Sequence, residues 1–303
     1  MNEMTYPTGG RAAAFAAAAA AIVVLLCPAA ASAQGNGNGH AYGLHKPKGT
    51  STSGPSAAGA PELQVSGTGI RTFGSWLDDA SVMTPGQGSM SIGFAYWRTP
   101  AYREFDIPTV DGGVGVTPRF QLNFSVPFYH ASEPGGPVVR GLGDLYLSGK
   151  VLLRDPSVDG RRVGFSVTPL LEVRSYSAPD TSRMSWALPG SIEYRHPRWR
   201  TFGSVGYFSR GALFASAAWQ ASVTRRAAVT ASIIRSHSVR RDDLSVALGL
   251  TQSRTDISGS LSMEMTPAMS VYGAVGRTIS KQDVNSATLA ISSGIAYSFQ
   301  AWR

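Results

Sequence analysis

The chain has 303 residues, 43% of them hydrophobic, 15% charged, and a formal net charge of +8. Charge is scarcer than the roughly 25% of ordinary soluble domains, while Gly, Ser and Ala are abundant. The Arg residues are scattered through turns and one strand face rather than gathered on a helix, which argues against nucleic acid as a partner and for phosphate-rich lipopolysaccharide or anionic solutes.

The N-terminus reads as an export signal. Arg11 precedes an apolar run from Ala12 to Leu26, then Pro28 and the small-residue site Ala31-Ser32-Ala33, the order of a cleavable secretory peptide. Residues 1–33 are therefore expected to be removed after Ala33. A lipoprotein reading of Cys27 fails, because the bulky Leu26 precedes it and Pro28 follows. Intact-mass measurement of the mature protein should show a chain starting at Gln34; a lipidated product retaining Cys27 would refute the assignment. Without Cys27 the mature chain has no thiol and no disulfide.

Residues 34–62, rich in Gly, Asn, Ser, Pro and Ala, bury too little apolar surface to offset their ordering entropy and read as a disordered periplasmic leader. His40 and His45 lie five positions apart with no third ligand nearby, so no metal site is expected. Residues 63–87 contain Ile70, Phe73, Trp76 and Leu77 before Asp78-Asp79. They read as a rim or plug segment, or an added strand; the sequence leaves these open. No other stretch approaches the eighteen consecutive apolar residues of a membrane helix.

From residue 88 the chain alternates with period two. Phe120, Leu122, Phe124, Val126 and Phe128 oppose Arg119, Gln121, Asn123 and Ser125. Leu145, Leu147, Val151 and Leu153 oppose Asp144, Tyr146, Ser148, Lys150 and Arg154. Leu289, Ile291, Ile295, Tyr297 and Phe299 oppose Ala290, Ser292, Gly294, Ala296 and Ser298. An apolar face ending in aromatics, backed by a small polar face, is what lipid-facing and lumen-facing surfaces require. Residues 88–303 are thus expected to form an all-β, transmembrane antiparallel up-and-down β-barrel. Twelve strands are predicted, over 88–98, 108–117, 119–128, 142–154, 161–174, 184–195, 199–209, 212–224, 226–236, 256–266, 269–280 and 286–299. Short turns follow the even strands and mostly longer connections follow the odd ones, as periplasmic turns and outer loops do in outer-membrane barrels. On this reading Glu133 faces outside and Asp159 the periplasm. The stretch 242–251 alternates too, as the upper arm of a hairpin or as part of two extra strands.

The stretch Gly141-Leu142-Gly143-Asp144-Leu145-Tyr146-Leu147-Ser148-Gly149-Lys150, preceded by Val126-Pro127-Phe128-Tyr129, resembles the outer-membrane transporter family named for the meta-cleavage pathway of phenol degradation. The resemblance spans about residues 85 to 303, with Gly141–Lys150 its specific part. It implies a barrel passing small, often hydrophobic compounds, with no catalytic residues to carry over. The chain departs from barrels that end on an aromatic read by the barrel assembly machinery, since Gln300-Ala301-Trp302-Arg303 follow Phe299. Either Phe299 or Trp302 is the expected signal.

The expected lumen-lining ionisable residues are Arg119, Asp144, Lys150, Arg154, Arg162, Glu172, Arg174, Glu193, Arg195 and Glu264. Charges in a narrow barrel are costly unless paired or wet. One reading pairs them with each other as a structural network; the other makes a constriction in which six basic residues against four acids favour anions. Neither catalysis nor a cofactor is expected. His130 and His237, beside Ser132 and Ser236, are the candidate bases of a rival hydrolase reading, and an envelope-anchoring or adhesin barrel using the 237–255 loop is the third.

Overall fold

The computed structural model describes residues 77–132, 136, 138–156, 162–173, 184–209, 211–239, 250–284 and 286–302. The signal peptide, the 34–62 leader, residues 63–76, Glu133, Asp159, Arg174 and positions 242–249 lie outside the described residues. Among the described residues no helix is long and apolar enough to cross a membrane, which says nothing of crossing by strands.

The strands are β1 (Gln87–Arg98), β2 (Arg103–Thr117), β3 (Phe120–Ser132), β4 (Val138–Leu142 and Leu145–Arg154), β5 (Val163–Val167 and Leu170–Val173), β6 (Met184–His196), β7 (Trp199–Phe208), β8 (Ala212–Ser222), β9 (Ala227–Ser238), β10 (Ser253–Thr266), β11 (Met269–Thr278) and β12 (Leu289–Gln300). Both pieces of β4 pair with β3, and both pieces of β5 pair with β4 and β6. Each interrupted stretch is therefore one strand. In β5 the interruption falls at Thr168-Pro169, where Pro supplies no N–H to the ladder. Its carbonyl still accepts from the Gly149 N–H at 3.0 Å.

Every strand is antiparallel to its neighbours, and β1 pairs with β12 from Gln87↔Gln300 to Arg98↔Leu289. The sheet closes into a twelve-stranded barrel. Closure matters because lipid offers no partner for a free strand edge. Two-residue turns at 118–119, 197–198 and 267–268 lie at one end, the turn end. The opposite end, the loop end, is taller than the sequence suggests: β2 begins at Arg103, β3 runs to Ser132, β9 to Ser238, and β10 starts at Ser253.

The two faces separate by chemistry. Outward residues include Ile92 (61% exposed), Leu188 (49%), Leu261 (53%) and Ile295 (52%), a belt that only lipid can cover. Outward aromatics cluster toward each end: Tyr194, His196 and Trp199, and Tyr297 with Phe299, at the turn end; Tyr96 with Phe105 and Trp186 with Tyr207 toward the loops. Amphipathic rings settle at the two interfaces of a bilayer for the same reason. Inward positions are small or polar and buried, among them Ser89, Ser91, Gln121, Asn123, Ser148, Ser166, Ser204, Ser216 and Ser292. Glycine opens room where the seam closes. A Cβ at Gly93 would stand 2.6 Å from the Tyr272 hydroxyl oxygen, and one at Gly294 2.6 Å from its ring, so this β11 side chain reaches across both strands of the β12–β1 seam.

Candidate channel lumen

The lumen is not empty at the turn end. Residues 77–84, which precede β1, run through it. Leu77 packs on Phe202 of β7, Ala218 of β8 and Ile234 of β9. Six residues later, the Met83 N–H donates to Gln121 Oε1 on β3 at 2.7 Å. The segment therefore crosses the cross-section from the β7–β9 wall to the β3 wall. It leaves along β2, where the Gly86 N–H donates to the Gly115 carbonyl at 2.8 Å. Leu77, Asp78, Asp79, Ala80, Ser81 and Met83 are all buried.

Charge holds the middle of the segment. Lys150 Nζ lies 2.7 Å from Asp78 Oδ1 and 3.1 Å from Asp79 Oδ1, and donates to the carbonyls of Asp79 and Ser81 at 2.9 and 3.0 Å. Thr168 Oγ1 donates to Asp78 Oδ2 at 3.0 Å. Arg200 Nη1 bridges Asp79 at 2.8 Å and Glu193 at 3.1 Å. Glu193 also accepts from Ser81 Oγ and Arg195 Nε, each at 2.7 Å. A fully buried Lys is tolerable only when its ammonium is saturated in this way. Burial alone would raise the carboxyl of Asp79, which lies in the segment before β1; Lys150 foremost, then Arg200 and Arg195, outweigh it and hold it at about 2.

Of the expected lumen residues, this site unites Lys150, Glu193 and Arg195. Glu172 is inward and fully buried, and it accepts from Tyr146 Oη at 2.8 Å and from Ser185 Oγ. Asp144 is buried at the interruption of β4, and Glu264 is half-buried on β10. Arg119, Arg154 and Arg162 are exposed at the turn end, off the lumen wall. For Arg154 the reason is a register shift after Leu152: Arg154 pairs with Phe165, an outward residue, so alternation counted from Lys150 no longer applies. Arg119 sits in a two-residue turn and Arg162 precedes β5. The anion-favouring count of six basic residues thus loses three of its members.

Residues that the sequence reading left out matter as much. Asp78, Asp79 and Arg200 belong to the site just described. The inward face of β2 carries Asp111 near mid-height and Asp106 and Glu104 toward the loop end, all buried, and β10 adds Asp256 at the loop end. Tyr102, in the hairpin between β1 and β2, reports this environment. Burial and then Glu104 push its phenol well above the ordinary value; Asp106 and Asp283 add to the effect, and Arg254 opposes it. Arg254 itself contacts Asp256 at 3.0 Å. Every acid among the described residues is buried or half-buried, whereas most Arg residues are exposed. The candidate bases fit no nucleophile pairing with their neighbours in sequence: His237 Nδ1 is 2.7 Å from Ser253 Oγ on β10 rather than bonded to Ser236, and His130 rests against Phe128.

Comparison with solved structures agrees with the architecture. The chain is similar to an outer membrane channel from Pseudomonas putida F1, with a TM-score of 0.55 and 13% identity over 73% of this chain and 98% of that one. The NanC porin (TM-score 0.49, 8% identity, 69% and 98% covered) and the KdgM porin (0.47, 12%, 69% and 99%) are more distant. No family model and no curated protein matches the sequence. At these identities the likeness shows the fold: a closed, twelve-stranded barrel of the outer-membrane channel type.

Proposed function

We propose that this protein is an outer-membrane channel for small solutes whose passage is narrowed by residues 77–84, within the 63–87 rim or plug segment, and whose lumen favours cations. The observation that carries the reading is the sorting of charge inside the barrel. At the turn end the inward cations Lys150, Arg195 and Arg200 are held by Asp78, Asp79 and Glu193. From mid-height to the loop end, Asp111, Asp106, Glu104 and Asp256 face inward with Arg254. These seven inward acids outnumber the four inward cations, so the net field met by a passing solute is negative, strengthened by the low-dielectric wall. The anion preference read from the sequence gives way to this. The Gly141–Lys150 stretch, with Val126–Tyr129 before it, supports a link to the phenol meta-cleavage transporter family. That link in turn favours small, often hydrophobic compounds as cargo.

Proteoliposome swelling tests the channel reading. Small cationic and neutral solutes should enter vesicles holding the full mature protein faster than anionic solutes of equal size. Vesicles that swell no faster than protein-free ones would leave a structural barrel as the better account.

The orientation follows from the turns, since outer-membrane barrels place short connections in the periplasm. Cysteine at position 281, beyond β11 at the loop end, should react with an impermeant thiol reagent on intact cells. Cysteine at position 225, in the turn between β8 and β9, should react only after the outer membrane is opened. The reverse pattern would invert the barrel.

A further inference from the structure

The outer wall of the barrel carries unneutralised charge at the loop end. Arg98 closes β1 and Arg103 opens β2, and the two are direct cross-strand partners. Both are exposed, and both project outward, in step with Ile92 on β1 and Phe105 on β2. Like charges directly opposite each other destabilise a sheet, so this pair is a place where an anion gains twice. Arg140 on β4 and Arg277 on β11 are exposed as well. The strand order β4, β3, β2, β1, β12, β11 puts all four on one continuous arc. Among the described residues no hydrogen bond or ion pair engages any of their guanidinium groups.

Beneath the Arg pair lies an aromatic and aliphatic wall. Tyr96 and Phe105 are 4.7 Å apart between ring centroids, and Phe94 lies 6.1 Å from Phe105. Ile92 and Ile107 continue it toward the middle of the belt, 61% and 50% exposed. Fixed cations at headgroup height above an apolar wall at acyl-chain height complement one kind of molecule, an anionic lipid. We propose that this arc is a binding site for lipid A, whose phosphates bridge Arg98 and Arg103 while its acyl chains lie on Ile92, Tyr96 and Phe105. The choice of lipid A over a phospholipid rests on the orientation proposed above, which turns the loop end to the outer leaflet. Two adjacent guanidiniums also suit a headgroup with two phosphates, each taking charge-assisted, forked hydrogen bonds.

Native mass spectrometry of the full mature protein, titrated with lipid A, phosphatidylglycerol or inorganic phosphate, tests the site. Lipid A should stay bound at concentrations where phosphatidylglycerol does not, and phosphate alone should not displace it. The double variant Arg98→Gln/Arg103→Gln should bind lipid A about tenfold or more weakly. Arg225→Gln/Arg226→Gln, which removes an exposed pair at the turn end, should leave it unchanged. Folding is checked by heat-dependent gel migration. If the first variant does not fold, Arg140→Gln/Arg277→Gln takes its place, with a severalfold loss expected. Equal loss in the turn-end and loop-end variants, no loss in either, or phosphatidylglycerol binding as tightly as lipid A would overturn the proposal. The thiol-labelling pattern is read separately, so a wrong orientation is distinguishable from a wrong site.

Discussion

Replacing Lys150 with Met is expected to raise the conductance of the barrel in planar bilayers severalfold over that of the native protein. Lys150 is the hub of the segment that crosses the lumen, with two ion pairs and two carbonyl contacts. Met keeps the stem and removes the charge, leaving Asp78 and Asp79 in a buried setting without the ammonium that both share. Removing one partner of a buried pair costs about 3–5 kcal/mol. A shift of that size moves a two-state docking equilibrium by a factor of about 150 to 4,000. Undocking exposes the orphaned carboxylates to water, so the cost falls on the docked state and not on the barrel. A version of the protein lacking residues 34–84 should show the same high conductance with less flicker. A third variant reaches the same end without touching charge. A Cβ on Gly115 would stand 2.5 Å from the Met83 carbonyl oxygen, so Gly115→Val must push the segment away from the β2 wall. Three routes to one conductance would identify the segment as the obstruction. If the shortened barrel folds and conducts as the native one does, residues 77–84 are a strut and not a plug.

Acid gives the same interaction a sign. The Asp79 carboxyl is depressed, to about 2, against roughly 3.9 for a free Asp. Its contribution to docking is therefore fully present above the free value and is lost only as pH falls through about 2. Mildly acid surroundings should leave the segment in place.

The barrel was legible because a lipid-facing strand must alternate and a lumen-facing one must stay small or polar; strands such as β1, β6 and β12 show both with little interruption. Errors gather where period two stops being a guide. Arg154 was placed inward by counting on from Lys150, but the register shift after Leu152 turns it out. Arg119 and Arg162 lie beyond strand ends, where no face is defined. The opposite error occurred in β2. Taking its start as residue 108 put Glu104 and Asp106 in a loop, although Phe105 and Ile107 already alternate with them and the strand begins at Arg103. The lumen segment was the least legible feature. Asp78-Asp79 followed by a turn resembles any rim, and nothing local says that its partner is a lysine 71 residues away, seven strands' worth of sequence being needed to build the pocket that receives it.

Ion selectivity should change with the segment, and this is the sharper consequence of a charge-sorted lumen. In the native protein a potassium chloride gradient across a planar bilayer should give a reversal potential of the sign expected for cation preference. Glu104→Gln with Asp111→Asn should reduce it, because both carboxylates face inward along β2 and the double change removes two negative charges from the lumen wall. Removing residues 34–84 should do more. Asp78 and Asp79 leave with the segment, while Lys150, Arg195 and Arg200 stay on the wall and lose the carboxylates that hold them. Glu193 then remains as the near acid for three cations, where before there were three acids. The turn-end constriction changes from balanced to positive, and in a narrow, partly dehydrated passage the local charge at the constriction governs which ion enters. The reversal potential should therefore move toward anions on deletion, and Lys150→Met introduced into the shortened barrel should move it part of the way back. A native barrel that prefers chloride would refute the acidic-lumen reading. A shortened barrel with the native selectivity would show that the loop end, and not the cluster around Lys150, sets the preference.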